Sequence, residues 1–451
     1  MVKIGGPAVL SSILFTIYNL TDAFWIGRLP GGQPEDVMAG IQISWPFVWL
    51  LISFVAGFAG AAVTALVAQN IGANRPKEAN QAMNQLFTVS LIAGVVIGVT
   101  GYLLLPYILS ILVKEPAIAH QADLYMRIIF LGMPTMMLPQ LFYMSLSSTG
   151  DTVTPLLVNL VGIVINVPLD AALILGWGPF PQMGIEGVAL ATVAAQGLTS
   201  LIFIALFRRK RGVLHLDRQA LMLRRKWVWK ALKIGLPASV GQTSVALGFL
   251  LMIYIIGRLD NPASALAGYG VADRIFGMLF IATDGLGVGL TTMVGQALGA
   301  QAMDRAREVV RKGIVALFVI VTIEAVFLYL ARYPLIRIFM PGEVEAVQIG
   351  ARFIQLFSAG MPFLAAFFAA HSIYRGAGHN APTMFLGILR VWVLRIPLSY
   401  VFAFLLHMQS DGVWIGMSLS NVFSGLVAIA LLASKSWQRS VIEPEGDIEA
   451  S

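Results

Sequence analysis

Long apolar runs alternate with short polar stretches along the whole chain, and the length of the runs is the first thing the pattern decides. A helix needs about 20 apolar residues to cross the hydrocarbon core of a bilayer, and more when it tilts. On that measure the sequence predicts twelve transmembrane segments, near residues 7–29, 39–69, 87–112, 125–147, 156–176, 184–206, 232–256, 266–296, 313–332, 346–372, 384–405 and 412–433. The linkers after even-numbered segments read GANRPKEAN, STGDTVTP, RRKRGVLHLDRQALMLRRKWVWK, GAQAMDRAREVVRK and RGAGHNAP. Those after odd-numbered segments read PGGQPED, VKEPAIAHQAD, WGPFPQM, DNPAS, MPGEVEAV and MQSDG. Basic residues crowd the first set, and the central linker alone carries nine Lys or Arg between Arg208 and Lys230 against one acid, Asp217. Cytoplasmic loops hold such an excess, so both termini are expected in the cytoplasm, as an even number of crossings requires. Within that linker LMLRRKWVWKALK, Leu221 to Lys233, mixes basic and bulky apolar residues, which suits either a helix in the inner interface or a charged connector.

The pattern also repeats. VAQNIGANRPKEA, Val67 to Ala79, matches VGQALGAQAMDRA, Val294 to Ala306, with Gln69, Gly72 and Ala73 answered by Gln296, Gly299 and Ala300. Pro7-Ala8 and Gly27-Arg28-Leu29 recur at the same separation as Pro237-Ala238 and Gly257-Arg258-Leu259. GMP at Gly132 to Pro134 recurs at Gly360 to Pro362, and INVPLD, Ile165 to Asp170, aligns with LRIPLS, Leu394 to Ser399. The sequence therefore predicts an all-α integral membrane protein of twelve transmembrane helices in two six-helix bundles. The division is an N-terminal lobe over 1–206, a basic cytoplasmic linker over 207–230, a C-terminal lobe over 231–435 and a cytoplasmic tail over 436–451. Because six is even, the repeat should be parallel, about an axis along the membrane normal, leaving a cleft whose sides can rock for alternating access. A channel would want a ring of pore-lining groups, and no filter-like loop interrupts these segments.

Composition agrees: of 451 residues, 58% are hydrophobic and only 12% charged, too few to clothe a soluble globule. The net charge of +7 does not point to nucleic acid, since the basic residues lie between apolar runs. Cysteine is absent, which removes disulfides and cysteine-ligated metals. The first apolar run ends in Gly27-Arg28-Leu29 and not in the small-residue signal of a cleaved leader.

The chemistry is then sought in polar residues inside the segments. YNLTDAFWIG puts Asp22 near the middle of segment 1, where a carboxylate costs about 2.5 to 3.5 kcal/mol on insertion scales. By the repeat, Asp22 pairs with Met252, Asn19 with Phe249, Asn166 with Arg395 and Asp170 with Ser399, so at these positions the acids belong to the first lobe alone. Tyr18 and Asp22 are four apart, Asn19 and Asp22 three apart, and Asn166 and Asp170 four apart, which gives each set one helix face. If the faces meet, two carboxylates in a poorly hydrated cavity can hold a proton, or a sodium ion with Asp22, Asn166 and Asp170 as ligands. The alternative is a neutralised, hydrogen-bonded structural network. Pro168 frees the carbonyl of Val164, which can join that site or mark only a kink, and Pro7 would do the same for Lys3 or sit harmlessly in a first turn. Tyr125, Gln140 and Tyr143 in segment 4 and Thr192 in segment 6 can line the cavity or satisfy local backbone. In the second lobe Arg390 and Arg395 on segment 11 have Asp284 on segment 8 as a candidate ion-pair partner, or face the cleft and repel cations. Glu324 finds no partner in the repeat, and His371 and His379 read as interfacial helix-end residues.

Taken together, YNLTDAFWIGRL, VAQNIGANRPKEA, STGDTVTP, INVPLD and GIEGVALAT (Gly184 to Thr192) resemble the multidrug and toxic compound extrusion (MATE) family, in particular an archaeal member near its DinF-like branch. The resemblance covers nearly the whole chain. It implies a V-shaped fold of two lobes, no cofactor, and antiport of amphipathic or cationic organic compounds against protons or sodium ions. It implies for Asp22 a part in cation coupling, for Pro7 a part in helix bending, and for Asn166 and Asp170 the polar pair of the same site. Tyr125, and less directly Thr192, are implied as cavity residues, while Gln140 and Tyr143 stand where archaeal relatives often carry amides. Proton coupling is preferred because only two acids and few other oxygens converge, whereas a dehydrated metal ion wants several. A monomer in the cell membrane, acting on a drug-like or organic cation without nucleic acid, is the expected setting. Two other functions remain. A flippase for lipid-linked oligosaccharide would want a basic central cavity, and a membrane enzyme would use Asp22 and Asp170 as an acid–base dyad, though no nucleophile or histidine cluster lies near them.

Overall fold

In the computed structural model the described residues are 10, 25, 34–112, 116–209, 212–217, 221–339 and 344–442. Pro7, Tyr18, Asn19 and Asp22 lie outside them. Regular structure among the described residues is helical throughout: α1 (Pro34–Gly72), α2 (Pro76–Leu112), α3 (Pro116–Thr149), α4 (Val153–Leu175), α5 (Ile185–Arg208), α6 (Arg225–Ile256), α7 (Pro262–Gly299), α8 (Met303–Phe339), α9 (Val344–Ala377), α10 (Asn380–Leu405) and α11 (Gln409–Ala433). These coincide with segments 2 to 12. Ten of them, α2 to α11, are long and apolar enough to cross a membrane. Proline opens α1, α2, α3 and α7, where its missing N–H has no helical partner to lose. Arg225 to Lys233 form the first turns of α6, so the basic, Trp-bearing stretch there is the start of a membrane helix rather than a separate helix in the interface.

The sequence repeat reappears as repeated backbone geometry. Between α1 and α2, Asn74 adopts a left-handed conformation (φ 59°) while Ala73 N–H donates to Gln69 O at 2.8 Å and Arg75 N–H to Asn70 O at 2.8 Å. Between α7 and α8, Gln301 does the same (φ 53°), with Ala300 N–H to Gln296 O at 2.9 Å and Ala302 N–H to Ala297 O at 3.0 Å. A second match joins α4 to α5 and α10 to α11. Met183 N–H donates to Leu173 O at 2.9 Å and Met408 N–H to Phe402 O at 3.1 Å. A glycine follows each: a Cβ on Gly187 would stand 2.7 Å from the Leu173 carbonyl, and one on Gly412 would stand 2.5 Å from that of Phe402. Small residues let membrane helices approach in this way.

The chain divides into two compact units, one within Leu10–Gly235 and one within Leu236–Ser451. In the first, α3 packs against α1, α2 and α5, and α4 packs mainly on α5. In the second, α9 holds the corresponding place against α7, α8 and α11, and α10 lies along α11. Its core contains an aromatic stack in which buried Trp414 lies 4.6 Å from Phe353 and 5.8 Å from Tyr269 between ring centroids. Apolar side chains are exposed along α8 at Val315, Phe318, Val319, Ile323, Val326, Phe327 and Leu330, the surface a lipid environment requires.

The residues after α5 are tied to α2 by a row of polar side chains spaced on one helix face. Asn80 Oδ1 accepts from His215 N–H at 2.6 Å, Asn84 Nδ2 donates to His215 O at 2.8 Å, and Asn84 Oδ1 accepts from Asp217 N–H at 3.0 Å. Gln85 brackets the next stretch, donating to Met222 O at 2.6 Å and accepting from Arg224 N–H at 2.8 Å. Neither reading of this linker's end, an interfacial helix or a charged connector, anticipates the docking, though NQAMNQLFT carries polar residues at 80, 84, 85 and 88.

Candidate functional site

Asn166 and Asp170 lie on the buried stripe of α4, with Gly162 and Val158 one and two turns earlier, and both are 0% exposed. Their spacing of four puts one above the other, and Asn166 Nδ2 donates to Asp170 Oδ1 at 3.4 Å. The Asn166 Oδ1 atom is sealed from solvent and has no hydrogen-bond partner among the described residues. A buried acceptor is costly unless a partner meets it. Val164 and Pro168 occupy the exposed face of the same helix, so of the two roles open to the carbonyl that Pro168 frees, a place in the polar stripe loses its geometric basis.

Two contacts set the register of α4 against α5: Gly187 meets Leu173, and Gly162 meets Thr199. By that register Ala191 and Ala195, both buried, lie level with Asp170 and Asn166 and leave room at the stripe. Thr192 lies at the level of Asp170, 8% exposed, with its Oγ1 unpaired among the described residues. On α3, Gly132 packs against Val193 of α5 and therefore marks the same level. Gln140 and Tyr143 follow Gly132 by eight and eleven residues, about 12 and 16 Å along the helix, and Tyr125 precedes it by seven, about 10 Å. These three do not gather at the Asp170 level. Gln140 and Tyr143 are half-buried, whereas Tyr125 is 4% exposed in an apolar cluster with Val48, Met126, Ile174 and Ile185.

The second unit carries its own polar interior. Arg395 is 2% exposed, donating from Nε to Ser420 Oγ at 3.1 Å and from Nη2 to Asn421 Oδ1 at 2.8 Å, with Tyr269 and Asp273 as electrostatic neighbours. Asp284, a candidate partner for Arg390 or Arg395, has Arg375 as its basic neighbour instead. Glu324 also gains company, accepting from Thr283 Oγ1 at 3.5 Å with Asp284 nearby. His371 stands inside α9 with its ring stacked on Phe367 at 6.3 Å, and His379 precedes α10 with Nε2 3.0 Å from Arg439 O. Asp273 was missed in the sequence, although YGVADRIFG places an acid within segment 8 as plainly as YNLTDAFWIG does in segment 1. Among the described residues, no group of three or more His, Cys, Asp or Glu could hold a metal ion.

The family model MatE matches residues 7–172 and again 237–401, one match on each copy of the repeat. The chain belongs to the MatE family. It is a membrane transporter and not an enzyme. Among its relatives, the probable multidrug resistance protein YoeA of Bacillus subtilis is 27% identical, with 91% of this chain and 88% of that protein covered. The probable multidrug resistance protein NorM of Thermotoga maritima is 27% identical, with 98% and 93% covered. A crystal structure of MATE in complex with MaL6 superposes with a TM-score of 0.88 at 21% identity, covering 96% of this chain and 95% of that one, which fixes the MATE fold.

Proposed function

We propose that this MatE protein exports amphipathic or cationic organic compounds by alternating access, in exchange for an inward coupling cation, with the proton preferred over sodium. The observation that carries the reading is the Asn166–Asp170 stripe: a fully enclosed carboxylate and carboxamide on a membrane helix, with the Asn166 Oδ1 acceptor unpaired among the described residues. Intramembrane carboxylates of this kind mark ion pathways and proton relays. Asp22, with Asn19 and Tyr18 on its face of segment 1, supplies the second carboxylate. Thr192 stands at the same level. Sodium would be held by Asp22, Asn166 and Asp170, but that set offers few oxygens for a dehydrated ion. Gln140 and Tyr143 are assigned to the path of the exported compound rather than to the ion, and Tyr125, enclosed among apolar side chains, is assigned to the wall behind that path.

The lobes are taken as 1–206 and 231–435 in parallel orientation, joined by the basic linker 207–230, with that linker, the tail 436–451 and both termini in the cytoplasm. The protein works as a V-shaped monomer, and its motifs favour the archaeal, DinF-like branch. Purified protein in vesicles with a proton gradient or a sodium gradient imposed separately tests the coupling. Uptake of a fluorescent organic cation is expected with the proton gradient alone, and uptake with the sodium gradient alone would reverse the choice of ion.

A further inference from the structure

Among the described residues of the second unit, Arg390 is a buried charged side chain with no hydrogen-bond or ion-pair partner. It is 7% exposed and begins eleven residues into α10, about 15 Å from the helix start, near the middle of a bilayer core about 30 Å thick. Its guanidinium lies over the ring of Phe367 at 4.3 Å, which covers one face. It makes no hydrogen bond or ion pair among the described residues, and its Nε is sealed from solvent without a partner. The contrast with Arg395 is direct, since that guanidinium is held by Ser420 and Asn421 and has Asp273 beside it. Among the described residues, the titratable neighbours of Arg390 are Arg395 on its own helix and His371 on α9, neither of which brings a negative charge. Burying a guanidinium this way is unfavourable unless an anion arrives.

The backbone is arranged to put it there. Leu389–Arg395 is π-helical, as is Val401–Leu405 further along α10, a form that occurs mostly as single turns within α-helices and often at functional sites. Its i→i+5 hydrogen bonding brings Arg390 and Arg395 nearly one above the other, where an α-helix would turn them far apart. Asp273, Arg274 and Asp284 on α7 are exposed on the surface of this unit, and charged side chains on a membrane helix face the bundle interior or a water-filled cavity rather than lipid. Beside Phe367 stand the half-buried rings of Phe368, at 5.9 Å, and Phe280, 5.5 Å from Phe368.

We propose that Arg390 is a binding site for the carboxylate of an aromatic organic acid, its Nη groups taking the two oxygens end-on while Phe368 and Phe280 receive the ring. A planar guanidinium matches a carboxylate with paired hydrogen bonds, which a point charge does not. The site extends the substrates beyond cations to compounds that carry an acid, and it stands independently of the coupling role given to Asp170.

The test is calorimetric binding of 2-naphthoate and of its neutral analogue 2-naphthamide to the purified full-length protein in detergent, with no gradient present. Wild type should bind the acid at least tenfold more tightly than the amide. Arg390→Gln should bring that ratio close to one, and Arg390→Lys should keep a few-fold preference. Phe368→Leu should weaken both probes to the same extent, which keeps the test decisive if Arg390→Gln does not fold. Equal affinity of wild type for the two probes, no binding of either, or a tenfold preference surviving in folded Arg390→Gln would each overturn the assignment. Since no ion gradient enters the measurement, none of these outcomes bears on the coupling at Asp170.

Discussion

Asn166 and Asp170 are enclosed, so each of their polar atoms depends on what the protein itself provides. Asn166→Ala removes the carboxamide that donates to Asp170 and is expected to lower stability by about 1 kcal/mol, the usual net worth of a hydrogen bond. It should slow gradient-driven transport much more than that loss of stability explains, as comparison of unfolding temperature with transport rate in one preparation will reveal. Arg395→Gln tests the opposite kind of residue, one whose partners are all in place. Breaking a buried charged network by removing one member costs about 3 to 5 kcal/mol, so a lower unfolding temperature is expected, with cation binding at the first unit retained in the protein that remains folded. The first-unit pair was legible in the sequence because its cue is local: two polar residues four apart inside an apolar run. Partners between helices were not. Asp284 was open to Arg390 or Arg395 on composition alone, and it stands beside Arg375 because α7 packs on α9.

At the level of elements, the α4–α5 contact decides where the stripe sits. A Cβ on Gly187 would lie 2.7 Å from the Leu173 carbonyl, a backbone atom that cannot rotate away, so Gly187→Ala must push the helices apart. Overpacking of this kind costs about 1 to 3 kcal/mol, and here it also shifts Thr192 relative to Asp170. Reduced transport together with a lower unfolding temperature is expected, and an unchanged unfolding temperature would mean that the contact is looser than described. The linker gives a second test at this scale. Asn84→Ala with Gln85→Ala removes four of the hydrogen bonds that hold residues 215 to 224 on α2, and limited proteolysis should then cut between 212 and 224 faster than in wild type. Segment lengths and their punctuation by proline and glycine made segments 2 to 12 readable in advance, since they report on a 20-residue apolar measure that the bilayer imposes. The two π-helical stretches in α10 were not readable, because an extra residue in a helical turn follows from packing and has no residue type of its own.

For the whole molecule, the matching turns at Asn74 and Gln301 and the matching glycines at Gly187 and Gly412 carry the repeat from sequence into backbone. The parallel arrangement of the copies, and with it alternating access, depends on orientation, which the linker charges predict. Reporters fused at Arg211 and at the C-terminus should mark one compartment, and a reporter at Pro181 the other; opposite locations for the first two would end the parallel arrangement. The central claim is that an enclosed carboxylate in the first unit couples a cation gradient to the opening of the molecule. A tenfold preference of the cation for one state is worth about 1.4 kcal/mol, enough to bias two conformations of similar energy. The most direct measurement compares wild type with Asp170→Asn in vesicles under an imposed proton gradient, with binding of the same fluorescent organic cation measured without a gradient. The account predicts that Asp170→Asn folds, binds the compound within a few-fold of wild type and loses gradient-driven uptake. Uptake by Asp170→Asn at the wild-type rate would contradict it.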